Sequence, residues 1–414
     1  MPADAGIPAL RTNPKTDTVI PCLSIGGCLG VRKKKLLWIL PYFPYPPLSG
    51  GSVRVFNLIK HLSPLLDIDL VSFIEPGTRK NDIKEIEKFC GRVTAVERRR
   101  SEGTLPMIFQ DYDTPEMRSA IIKALDRRHD FVQIDYLTMA YYARLVKESS
   151  DLPLFFTEHD VSWLDFERCF HNRHLDERLR YFQWEKNRET AAELYRLFDA
   201  VITVSRNDAG ILRDLYPEKP VFPAPTGTDC SFYAYEETQV SSWILYTGHY
   251  AHYPNVDAVK YFLNEVFPLV KKERSETKFI IGGSGGRKAF PDPGREDVRV
   301  TGEVKDLRPL LYNSGVFAAP VRMGIGIRGK ILEAMACGLP VVTSSTGMKG
   351  IGAEKGVHLL ADDTPEGMAE SILRILNGRA ASREMAVRAR KFVEENYDWP
   401  VRASELYEFY LNKL

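Results

Sequence analysis

The stretch RMGIGIRGKILEAMACGLPVVTS at residues 322–344 narrows what this chain can fold into more than any other. It opens with a loop holding Gly324 and Gly326, turns helical, and stops at Gly338-Leu339-Pro340 before the apolar run 341–344. Glycine at a helix C-terminus with proline just beyond is a strong stop signal. Ile327, Ile331, Ala334 and Met335 recur at helical spacing, which predicts one buried stripe. Lys330 and Glu333, three apart, share a different face. Bare glycine amides and the positive end of a helix favour an anion. Arg322, Arg328 and Lys330 add three cations at that spot. Cations suit a diphosphate, and a carboxylate one turn deeper suits sugar hydroxyls. The competing reading is an ordinary loop–helix–strand unit of an α/β domain whose basic residues are merely solvated.

With 414 residues the chain exceeds one comfortable core, which predicts two domains. A composition 44% hydrophobic and 27% charged is that of a soluble globular protein. The formal net charge of +1 argues against a dedicated nucleic-acid binder. Six dispersed cysteines without a CxxC pair fit reduced thiols in the cytoplasm better than a disulfide framework or a zinc site. No apolar run approaches the ~20 residues needed to span a bilayer, so any membrane contact is peripheral. Residues 1–33 carry Pro2, Pro8, Pro14 and Pro21 without a clear period and read as a disordered tail. The basic cluster at 32–35 precedes too short an apolar run for a signal peptide.

From residue 36 onward, short apolar runs alternate with helical patterns. Strands are expected at 36–40, 67–73, 93–96, 131–134, 152–156 and 200–205, with helices between them; this pattern implies βαβ units and a parallel sheet. The first strand leads through a proline-rich loop to Gly50-Gly51 and a helix with Val53, Phe56, Ile59 and Leu62 as its stripe. The paired glycines form either an anion-capable turn or simply a tight one. His159 follows the run 152–156, at the carboxyl end of a strand, where ligands of open α/β sheets sit. It reads as a site residue able to contact a sugar or polarise an oxygen, or else as part of a capping turn. Glu158 and Asp160 flank it and are candidates either to orient the ring or to serve as acid or base. Residues 163–198 are helical, charged and aromatic; their basic face suits anionic lipid, but interspersed glutamates suit plain solvation. A second alternation follows: a strand into Gly248, a helix over 255–270, a strand at 278–281 ending in a flexible GGSGG loop, and a strand at 298–301 ending in Thr301-Gly302. Helices close the chain at 365–376, 382–396 and 400–411.

On these residues the chain resembles the family 4 retaining glycosyltransferases of the GT-B fold (glycosyl transferases group 1), whose donor loop precedes a helix reading LEAMA.G.PVV.S. It is most similar to a branch with a glycine-rich loop, an Arg and a Lys there, here Gly324, Gly326, Arg328 and Lys330. The resemblance spans about residues 36–412. It implies a two-domain α/β architecture of Rossmann-like, parallel-sheet domains facing a cleft: an acceptor-side domain at 34–222, a linker at 223–240, a nucleotide-sugar domain at 241–396, and a final helix, 397–414, packing back on the first domain. It implies donor contacts at Gly50, Gly51, Gly248, Thr301, Gly302, Arg322, Gly324, Ile325, Gly326, Arg328, Lys330 and Glu333, with His159 and Glu333 catalytic. Glu333 is expected on the nucleotide ribose. Ile325 stands where the family commonly has another glutamate, and the turn after Gly248 lacks the family's usual cations; Arg322, Arg328 and Lys330 are expected to take over the diphosphate. No metal and no cofactor is expected beyond the nucleoside diphosphate sugar co-substrate. The expected partners are that donor and a glycan or lipid-linked acceptor, in polysaccharide or glycan assembly at the cytoplasmic side, with peripheral membrane contact as a further option. The other readings are a GT-B epimerase or phosphorylase, and a nucleotide-sugar binding protein without activity.

Overall fold

The computed structural model describes residues 32–98, 109, 111–164, 177–237, 241–291, 294–324 and 326–414. The tail up to residue 31 and Ile325 lie outside these residues. Two parallel sheets organise the rest. The first is built from β1 (Lys34–Leu40), β2 (Leu66–Ile74), β3 (Arg92–Glu97), β4 (Phe131–Asp135), β5 (Leu154–Glu158), β6 (Ala200–Thr203) and β7 (Val221–Pro223), in the order β3-β2-β1-β4-β5-β6-β7. The second is built from β8 (Trp243–Thr247), β9 (Lys278–Gly282), β10 (Val298–Gly302), β11 (Val316–Ala319), β12 (Val341–Thr343) and β13 (Leu360–Ala361), in the order β10-β9-β8-β11-β12-β13. The central strands explain the sequence pattern: Leu36 to Leu40 are all fully buried, as a strand covered on both faces requires. Each sheet reverses its winding beside its first strand, between β1 and β4 and between β8 and β11. Such reversals open crevices at the carboxyl ends of the strands.

Three helical expectations shift. The first helix, Gly50–Leu62, buries Arg54, Val55, Leu58, Ile59 and Leu62, whereas Val53 and Phe56 are only partly buried. Its inward face is rotated because it is gripped between the sheet and the last helix, Trp399–Leu411. The helix expected over 255–270 is interrupted: Tyr253–Tyr261 passes into a π turn at Phe262–Val266 and then Phe267–Glu273. Pro268 has no N–H to continue the regular ladder, and the Phe267 N–H reaches back to the Phe262 carbonyl instead. Ile327 precedes the helix Gly329–Ala336 and packs on the core from the loop. The stop after that helix is a Schellman turn: Gly338 N–H donates to Met335 O at 3.1 Å and Leu339 N–H to Ala334 O at 3.0 Å, with Gly338 at φ +81°.

The last helix leaves the second half and embeds Trp399, Ala403, Leu406 and Tyr410 among Leu36, Trp38, Leu40 and Val55 of the first. Where the chain crosses, two segments run side by side. Thr228 N–H donates to Tyr397 O at 2.8 Å, Trp399 N–H to Thr228 O at 3.2 Å, and Cys230 N–H to Asp398 Oδ1 at 3.1 Å. Among the described residues no helix is long and apolar enough to cross a membrane.

Candidate active site

In the second half, the ends of β8, β9 and β10 are laced by glycines. Gly248 N–H donates to Gly282 O at 2.9 Å, and Gly283 N–H to Gly302 O at 3.1 Å. Gly283 has φ +118°, and a Cβ there would stand 2.1 Å from Gly248 O, so only glycine fits. The GGSGG segment is therefore a packed turn rather than the flexible loop its composition predicts, further tied by Tyr250 N–H to Ser284 O at 2.9 Å. Thr301 donates its hydroxyl to Gly302 O at 2.8 Å, which leaves these two residues at the rim of the same strand ends.

Lys330, in the first turn of Gly329–Ala336, reaches across to this floor. Its Nζ donates to Asn255 Oδ1 at 2.6 Å and Tyr246 OH at 3.1 Å, and lies 4.5 Å above the Tyr246 ring. Asn255 is held in turn by Nδ2 on His249 O at 2.8 Å, and a Cβ on Gly248 would come within 3.0 Å of its Cγ. The two oxygens on Lys330 are neutral, so at hydrogen-bond distance the ammonium keeps its charge uncompensated. Burial pushes its pKa down to about 7, against Glu333, which raises it, and with the neighbouring Arg328 charge. Burial raises the Glu333 carboxyl, with Lys330 and the Tyr233 hydroxyl opposing. Arg328 donates to Gly326 O at 3.0 Å, and burial lowers its pKa. Gly324 (φ +108°) and Gly326 (φ +82°) take the left-handed turns that bring the loop over it.

Gly248, Gly324, Gly326, Arg328, Lys330 and Glu333 thus gather at the β8/β11 reversal. Arg322 does not join them. Its guanidinium is bidentate on Asp257, at 3.1 and 2.6 Å, and lies 4.6 Å over the Tyr261 ring. Asn255 and Asp257 are two apart on one helix and face different sides, so Lys330 and Arg322 grip opposite flanks of it.

The first half is built differently. Ser49 caps the helix Gly50–Leu62: its hydroxyl accepts from Ser52 N–H at 3.2 Å, and Ser49 N–H donates to Ser52 Oγ at 2.9 Å. Gly50 has open space around it, whereas a Cβ on Gly51 would lie 2.1 Å from Tyr136 OH and 2.2 Å from Tyr42 OH. Tyr136, at φ +70°, stacks on His159 with ring centroids 3.6 Å apart and planes 11° apart. His159 Nε2 lies 3.0 Å from Asp135 Oδ2; the ring's pKa is lowered by burial, with Asp135 pulling the other way. Glu158 does not orient this ring. It turns inward, accepting from Trp163 Nε1 at 3.1 Å and Tyr195 OH at 2.5 Å, and burial pushes it up to about 8. The partner of His159 is Asp135, at the end of the neighbouring strand, and its place at a strand end was the one signal that the sequence held.

Residues 48–232 match the family described as Glycosyltransferase Family 4, and residues 241–378 match Glycosyl transferases group 1. The chain belongs to the family 4 glycosyltransferases. This glycosyltransferase is 21% identical over 387 residues to an uncharacterized 44.6 kDa protein in the cps region of Klebsiella pneumoniae, covering 88% of this chain and 96% of that one. It is 28% identical over 162 residues to a phosphatidyl-myo-inositol mannosyltransferase of Propionibacterium freudenreichii, a match covering 36% of this chain and 38% of the relative. Among solved structures it is similar to Anabaena HepE in complex with UDP and glucose, at 14% identity and a TM-score of 0.63, covering 92% of this chain and 100% of that one. The glycosyltransferase has the GT-B fold, in which the two parallel-sheet halves face a common cleft.

Proposed function

We propose that the enzyme transfers a sugar from a nucleoside diphosphate sugar to an acceptor hydroxyl, with retention of anomeric configuration, in polysaccharide or glycan assembly. The observation that carries this reading is Lys330, a half-buried ammonium on neutral partners beside the Gly248 turn and at the head of a helix. A diphosphate is the ligand that such a charge lacks. Arg328 and the bare amides of Gly324 and Gly326 add to its capture. Glu333, one turn deeper, is assigned to the nucleotide ribose, and Thr301 and Gly302 to the rim near the base. Uridine is the first base to test, since HepE has been seen with UDP. A lipid-linked acceptor is in keeping with the mannosyltransferase relative.

In this mechanism the leaving diphosphate accepts the acceptor's proton on the same face, while Lys330 and Arg328 stabilise its growing charge. His159 contacts the transferred sugar from the opposite half. Retention rests on the family resemblance. A membrane corollary rests on the helix Glu177–Tyr195, which exposes Tyr181 and Phe182 near Lys186; failure to sediment with anionic vesicles would remove it.

The test is a thermal-shift screen against UDP-, GDP-, ADP- and dTDP-sugars. A ligand at a hundred times its Kd stabilises the native state by about 2.7 kcal/mol. One base is expected to raise Tm in the wild type and not in Lys330→Met, and NMR of the product made with that donor is expected to show the donor's anomer. No shift with any of the four would sink the proposal.

A further inference from the structure

The ring that the proposed reaction brings to the sugar is held by groups that no neighbouring residue in sequence supplies. We propose that Asp135 and Arg54 are the positioning pair of His159: Asp135 fixes the ring as the Nε2–H tautomer, so that Nδ1 offers its lone pair outward, and Arg54 holds Asp135 ionised. The inference rests on the reading that His159 meets a sugar hydroxyl.

Asp135 is buried and fully engaged. Its Oδ1 accepts from Trp38 Nε1 at 2.8 Å and from Gln133 Nε2 at 2.8 Å, and its Oδ2 faces His159 Nε2 at 3.0 Å. Indole and amide N–H groups can only donate, so Oδ1 has to accept. The Gln133 amide is fixed in that sense: Nε2 also donates to Thr157 Oγ1 at 3.0 Å, while Oε1 accepts from the Tyr410 hydroxyl. At Oδ2 two arrangements remain. Either the carboxylate is ionised and His159 donates from Nε2, or the carboxyl is protonated and donates to a bare Nε2, which moves the ring proton to Nδ1.

Arg54 decides between them. It is 2% exposed, and among the described residues its Nε, Nη1 and Nη2 have no hydrogen-bond partner. A guanidinium does not give up its proton in a protein, and a buried charge without a counter-charge is strongly disfavoured. Burial lowers the pKa of Arg54, and the charge of Asp135, acting from beyond hydrogen-bond distance, opposes this most, with the phenols of Tyr136, Tyr410 and Tyr42 adding to it. A neutral Asp135 would strand the cation, so the ionised form is the one this environment retains. Burial lowers the pKa of His159, against the hydrogen bond and charge of Asp135, and the Arg54 charge lowers it further. With Nε2 committed inward, Nδ1 is the ring nitrogen left for a ligand.

The experiment uses the full chain labelled with 15N-histidine, with long-range 1H–15N spectra assigned to His159 by the signal lost in His159→Gln. The wild type is expected to show Nε2–H with a bare Nδ1 at pH 7. In Asp135→Asn the amide donates to Nε2, and the ring is expected to switch to Nδ1–H. Turnover should then fall about a hundredfold with little change in donor KM, the scale of losing one positioned proton-transfer or hydrogen-bond partner. In Arg54→Met, part of the His159 signal is expected to move to the Nδ1–H or doubly protonated form. A wild-type ring that is Nδ1–H or doubly protonated overturns the proposal, as does an Asp135→Asn spectrum like the wild type's; an unmoved spectrum in Arg54→Met removes Arg54 from the pair. Should Asp135→Asn fail to fold, the wild-type spectrum alone decides. Should no donor turn over, the glycosyl-transfer reading fails while the tautomer result still judges the pair.

Discussion

The two halves wind their strands in the same order, yet they finish the crevice with opposite chemistry. In the first half, Arg54 apart, buried polar groups answer one another: Asp135 has Trp38, Gln133 and His159, and Gly51 lies under two phenols. In the second half, glycines shape the turns around the strand ends, and Lys330 is held by neutral oxygens. One crevice is set for fixed geometry and the other for charge. A shared topology therefore says where a ligand sits and little about which forces receive it.

The largest effect that would sharpen this contrast is at Lys330. Lys330→Met is expected to lower turnover about 10²- to 10³-fold, the scale of removing one preorganised charge-stabilising group, and to abolish the nucleotide-induced rise in Tm. Glu333→Ala should also cut turnover sharply, with the fold kept. His159→Gln should lower turnover while keeping the Tm rise with the free nucleotide. If His159→Gln weakens nucleotide binding as much as Lys330→Met does, the division of labour is broken.

Next in size is a packing test. Gly51→Val should destabilise the fold by about 1–3 kcal/mol in urea titration, since its side chain would overlap the Tyr42 and Tyr136 hydroxyls. Gly50→Val, where the space is open, should cost far less; equal costs would contradict the picture of a dry, filled crevice.

A smaller effect follows from proton linkage. Lys330 titrates near 7 when the site is empty, and a bound diphosphate favours its charged form, so binding takes up a proton above that pH. Nucleotide affinity should therefore fall as pH rises from 7 to 9, by at most about tenfold per unit. Isothermal titration should find that this slope shrinks in Lys330→Met. A slope of the opposite sign would separate Lys330 from the phosphates.

The smallest effect is expected at Arg322. Its charge is already answered by Asp257 on a half-exposed flank, a pairing worth roughly 0–1 kcal/mol. Arg322→Ala should leave donor KM within about fivefold, since that is the equivalent of about 1 kcal/mol. A tenfold rise would return Arg322 to the donor group.

The second half was the more legible in sequence, and the reason is physical. Its chemistry is local: Gly338 and Pro340 mark a stop, and Lys330 and Glu333 lie within one helix whose period can be counted. The pairing of Asp135 with His159 depends instead on β4 lying beside β5 with Asp135 opposite Thr157, a register that no local pattern encodes. Arg54 was hidden for a related reason. A stripe drawn from apolar residues alone, Val53, Phe56, Ile59 and Leu62, passes over a buried cation that the last helix and the sheet jointly enclose. The pairing of Arg322 with Asp257 was not legible either, because spacing along a loop says nothing about which flank of a neighbouring helix a long side chain reaches.

The paired crossing at Thr228 and Asp398 carries one more consequence. Two runs of chain joined by three hydrogen bonds connect the halves there, so a break in one run would leave the other still tying them together.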